Sequence, residues 1–105
     1  MRGTIQGIVV DTKDLPGIGI WQTGYAPTDP RYQRVMLYAG GPLGVVLWVR
    51  TGPHFGSWNG LVLLPKNQWR AWHQATLHWD RRKSIRGVLR TLGGQECDAP
   101  VRQGA

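Results

Sequence analysis

Glycine and proline divide this chain at residue 65. Up to Gly60 they punctuate a series of short apolar runs, whereas Lys66 to Trp79 contains neither. Glycine weakens a helix interior by about 1 kcal/mol and proline by about 3 kcal/mol, so the punctuated part cannot form long helices. The uninterrupted part can. The order is therefore strands first and helix last, an α+β arrangement.

The runs themselves support this. Ile5–Val10 is apolar and β-branched, with Gly7 inside it, and reads as a first strand. Gly17–Trp21 follows the Asp14-Leu15-Pro16-Gly17 turn as a second. Residues 24–31 hold Pro27 and Pro30 and form a loop. Gln33–Ala39 and Leu43–Arg50 flank Gly40-Gly41-Pro42, a hairpin signal. Val45–Val49 is almost continuously apolar, as suits a central strand. Thr51–Asn59 is a Gly-Pro-rich excursion, and Gly60–Leu64 is the fifth strand.

Pro65 suits the first turn of a helix. Behind it, Trp69, Trp72, Thr76 and Trp79 share one helical face. Ile85, Val88, Leu89 and Leu92 repeat the spacing, and Gly93-Gly94 stops it. This predicts about five strands followed by one amphipathic helix or two. Residues 1–94 form a single domain, and the polar stretch 95–105 is expected to be a disordered tail.

Charge points to the ligand class. Thirteen Lys and Arg oppose six Asp and Glu, for a net charge of +7. Lys66, Arg70, Arg81, Arg82, Lys83, Arg86 and Arg90 lie close together, opposed there only by Asp80. Such a block attracts a polyanion, of which nucleic acid is the commonest, although arginines that merely solvate a helix would look the same. Cys97 is the single cysteine, which excludes an internal disulfide and a cysteine-based zinc site and fits a reduced, cytoplasmic compartment. No apolar run reaches the roughly 18 residues of a membrane span.

Gly60-Leu61-Val62-Leu63-Leu64-Pro65-Lys66-Asn67-Gln68-Trp69 resembles the last strand and helix start of the transcriptional positive-cofactor-four family, which shares its fold with the plant Whirly proteins. Upstream, Tyr32–Arg50 resembles that family's paired strands and Thr51–Asn59 its long hairpin loop, so the resemblance spans about residues 32–80. It implies a curved antiparallel sheet backed by a helix, a homodimer formed through that helix, and single-stranded DNA bound on the sheet face and loops. Trp69, Trp72 and Trp79 would then lie in the dimer interface, although the same face could be core.

Single-strand binding needs aromatic faces for bases and cations for phosphates. Tyr32, Tyr38, Phe55 and Trp58 are the candidate stacking residues; Trp58 stands out because a loop tryptophan has no obvious core face to claim it. Arg31, Arg34, Arg50, Arg81, Arg82, Lys83 and Arg86 are the candidate phosphate contacts. No catalytic residue, metal or cofactor is implied. His73 and His78 fall on different helix faces, and His54 stands alone. Two other classes compete. A small toxin-like ribonuclease would have to use His54 with Arg50, or His73 with Arg70. A small phage- or plasmid-type inhibitor would use its six tryptophans to dock on a larger protein.

Overall fold

The computed structural model describes residues 1–97. The chain runs β1 (Arg2–Ile5), β2 (Ile8–Asp11), β3 (Gly17–Gln22), β4 (Gln33–Ala39), β5 (Val45–Thr51), β6 (Asn59–Leu64), α1 (Trp69–Leu77), α2 (Ile85–Thr91) and β7 (Gln95–Glu96). Strands β3 to β7 form one antiparallel sheet in chain order, and β1 pairs with β2 alone. This is the α+β class read from the punctuation of the sequence.

Three elements differ from that reading. Ile5–Val10 is two strands, because Gln6 (φ 51°) and Gly7 (φ 80°) both turn left-handed and close a two-residue hairpin. Positive φ at both central residues is the geometry whose twist matches that of paired strands. The helix begins with a tighter 3-10 turn, Lys66–Gln68, and α1 ends at Leu77. Near that end, the Thr76 hydroxyl donates to the Trp72 and His73 carbonyls (2.9 and 3.3 Å), a side-chain bond that bends helices. Finally, Gln95 and Glu96 are not tail: they pair with β6, and the Cys97 N–H donates to the Leu61 carbonyl at 3.0 Å. The rest of the expected tail, residues 98–105, lies outside the described residues.

Strand alternation sends side chains to two unequal faces. Val35, Leu37, Val45, Leu47, Val49, Val62 and Leu64 meet Trp72, Ile85 and Leu89 from the helices. On the other face the β1–β2 hairpin covers only one part, where Ile5 packs with Val46, Leu61 and Leu63. A Cβ on Gly3 would come within 3.0 Å of Leu61, so the hairpin backbone lies close on the sheet.

Gln33 fastens the helix layer to the sheet. It is fully buried; its amide donates to the Lys83 carbonyl (3.0 Å) and its carbonyl oxygen accepts from the Ile85 N–H (2.7 Å). Ser84 stands at the helix N-cap without a side-chain bond, so Gln33 satisfies the helix start from another strand. Trp72 is 3% exposed within its own chain. It belongs to the core and is not available to a dimer interface; Trp21 packs edge-on against Trp72 and Trp79 at 6.2 and 4.7 Å. Trp69 and Trp79 also pack against this core while remaining partly buried.

Candidate nucleic-acid interface

The sheet face opposite the helices presents two rows of side chains, the second of which runs under the β1–β2 hairpin at Leu61, 2% exposed. Cross-strand pairing places Gln22, Arg34, Arg50 and Asn59 in one row and Ile20, Met36, Trp48 and Leu61 in the next. With strands about 4.8 Å apart, each row spans roughly 14 Å. Asn59 fixes Trp48, whose indole N–H donates to the amide oxygen at 2.6 Å. Tyr38 lies on the same face beyond Met36, and its hydroxyl meets the Met36 sulfur at 3.7 Å.

Arg34 and Arg50 are direct cross-strand partners. Like charges opposed in this way destabilise a sheet. Among the described residues neither has an ion-pair partner, and the Arg34 Nε is shielded from solvent with no hydrogen-bond acceptor. The arrangement is electrostatically incomplete and would be relieved by an anion bridging the two guanidinium groups.

The other candidate cations divide by their partners. Arg31 forms a bidentate pair with Asp29 (3.0 and 2.8 Å) and stacks 4.1 Å from the Tyr25 ring. That pair holds the Asp29 carboxyl down at about 2, through the side-chain bond first and the Arg31 N–H second. Arg82 pairs with Asp80 and likewise lowers its pKa. Arg86 donates to Glu96 through Nε and Nη2 (3.0 Å each), which with Arg90 holds that carboxyl below its ordinary value. Arg81 and Lys83 carry no ion pair among the described residues, but the Lys83 carbonyl is bound by Gln33, on the helix side of the sheet. The 81–86 cluster therefore does not join Arg34 and Arg50 on the open face.

The aromatic candidates are corrected in the same way. Tyr32 is 5% exposed and offers no face to a base. Trp58 is not a free platform: its ring lies over Gly60, where an added Cβ would come within 2.6 Å, and Arg86 stacks on it at 4.2 Å. Gly60 claims the tryptophan because it alone leaves room on that strand position. Phe55 sits half-buried in a 3-10 turn, edge-on to His54 at 4.8 Å. The loop around it is pinned, since the Thr51 hydroxyl donates to the Phe55 carbonyl and accepts from the Trp58 N–H. His73 lies against Trp69 at 4.4 Å.

Of the sequence candidates, the open face thus gathers Arg34 and Arg50, while Tyr38 lies on the same side of the sheet, packed against the cluster under the hairpin. The open face adds Gln22, Met36 and Asn59, which sequence reasoning missed, and Trp48, whose place in an apolar strand favours the core. Strict alternation from Arg50 back through Trp48 to Val46 was the available signal, hidden by the apolar run Val45–Val49. Among the described residues no group of three His, Cys, Asp or Glu side chains could hold a metal ion, and no helix is long and apolar enough to cross a membrane. No family model, curated protein or solved structure matches this chain.

Proposed function

We propose that this protein binds single-stranded nucleic acid across the open face of its sheet. The observation that carries this reading is the unpartnered Arg34–Arg50 pair beside Trp48. Two guanidinium groups would hold phosphates, and the half-buried indole, anchored by Asn59, would supply a rigid stacking edge for a base. An open sheet is wide and shallow, and it suits bases splayed from a single strand better than a closed duplex. The net charge of +7 supplies long-range attraction. Binding on the sheet face is also what the resemblance to the positive-cofactor-four family implies.

Tryptophan fluorescence titrated with single-stranded DNA, single-stranded RNA and duplex at two salt concentrations tests the reading. Single strands should bind more tightly than duplex, and affinity should fall steeply with salt. Replacing Arg34 and Arg50 together by Gln should flatten the salt slope by about 1.4, at about 0.7 per phosphate contact. Replacing the paired Arg31 and Arg82 should leave it nearly unchanged. Equal slopes for the two double variants would reject this face as the phosphate site. Salt-independent capture of a protein partner would favour the docking-inhibitor class instead.

A further inference from the structure

The two edges of the main sheet are treated differently. On the β6 side, β7 pairs with Val62 and Leu63, and the Cys97 N–H continues the ladder onto Leu61. On the β3 side no strand pairs among the described residues. The Thr23 N–H points inward to the Gln33 carbonyl (3.2 Å), so by alternation the backbone groups of Gln22 and Ile20 point outward. Native sheets blunt such an edge with lysine, proline or a covering segment. Here Gly17-Ile18-Gly19-Ile20-Trp21-Gln22 contains neither a charge nor a proline. Ile18 and Ile20 are also 46% and 57% exposed.

We infer that β3 is a self-pairing edge, and that two copies of this chain join β3 to β3 antiparallel into one ten-stranded sheet. The occupant follows from charge. A chain of +7 repels its own copy over most of its surface, but this six-residue strip is uncharged. An antiparallel strand edge is also self-complementary about a two-fold axis, as a symmetric dimer requires. Pairing Ile20 with Ile20 of the second copy lets each residue donate and accept one backbone bond across the axis, with the isoleucines in contact beside it. The axis is perpendicular to the sheet, so both open faces lie on the same side. The two β4 strands then stand three strand spacings apart, about 14 Å. This dimer uses the sheet edge and not the tryptophan face of the helix, which Trp72 has already committed to the core.

The test is the mass of nuclease-treated protein by light scattering at micromolar concentration and high salt, with no nucleic acid present, so that its result is independent of ligand binding. The wild type should show twice the chain mass. Ile20→Lys places a charge beside its own copy, and Ile20→Pro removes an outward N–H that makes no bond to β4; each should weaken dimerisation at least tenfold with the far-ultraviolet dichroism unchanged. If one variant fails to fold, the other decides. A monomeric wild type, or a dimer that survives the folded variant, overturns the proposal.

Discussion

Trp58 shows how one residue changes role once its neighbours are known. In sequence it stands in a Gly-Pro-rich loop and looks like an exposed stacking platform. In the structure it covers Gly60 and carries Arg86 on its outer face. Trp58→Ala should therefore lower folding stability by about 2–3 kcal/mol, somewhat under the cost of truncating a fully buried tryptophan. Binding of single strands by the folded variant should stay within a few-fold of wild type. Chemical denaturation and fluorescence-independent binding, such as anisotropy of a labelled oligonucleotide, measure the two effects separately. A variant that melts like wild type but binds tenfold more weakly would return Trp58 to the ligand site. Trp48 has the opposite history: it lies in an apolar strand, yet its alternation with Leu47 and Val49 turns it to the open face.

At the scale of elements, α2 depends on a residue far from it in sequence. The Gln33 side chain bridges β4 to the start of the helix, 52 residues away, and it is enclosed at 0% exposure. Gln33→Leu keeps the bulk but leaves the Ile85 N–H and the Lys83 carbonyl without these partners. The expected cost is about 1–3 kcal/mol, the desolvation penalty of buried groups left unsatisfied. Because α2 also positions Arg86 and Arg90 for Glu96, amide exchange should quicken first in α2 and β7. Uniform quickening across β4 and β5, with α2 no faster, would show that Gln33 does not hold the helix start. The strand and helix types here were legible, since period and glycine-proline punctuation are local properties. The hairpin within Ile5–Val10 was not, because its turn uses Gln6 in a conformation that glutamine seldom adopts.

For the whole molecule, acid stability follows from three carboxylates held by arginines. Asp29, Asp80 and Glu96 all have depressed pKa values, caused first by side-chain bonds from Arg31, Arg82 and Arg86 respectively. A carboxyl whose folded pKa lies below its unfolded one stabilises the fold above the unfolded value, and that stabilisation disappears as pH falls through the folded value. Stability should thus be level near neutrality and decline below the ordinary values of 3.8 for Asp and 4.5 for Glu. Arg31 and Arg82, the partners of Asp29 and Asp80, are 54% and 91% exposed and screened by solvent, whereas Arg86 is 20% exposed, so Glu96 should dominate. Urea midpoints measured across acid pH should show Glu96→Gln less stable than wild type near neutrality and merging with it in acid. A gap that stays constant would mean that the carboxylate charge is not what matters at Glu96.

The sequence alone determined the order of strands before helices, the apolar spacing of both helices and the basic character of the molecule. All of these depend on neighbours within a few positions or on totals over the chain. Only the tertiary structure decided which cations remain free. Arg86 is spent on Glu96 and Trp58, whereas Arg34 and Arg50 are cross-strand partners with no ion pair among the described residues. It also decided which tryptophan faces outward and which sheet edge stays open. Ion pairs, stacking and strand edges are contacts between groups brought together through space, and the free energy of a charge depends on those contacts rather than on its place in the chain.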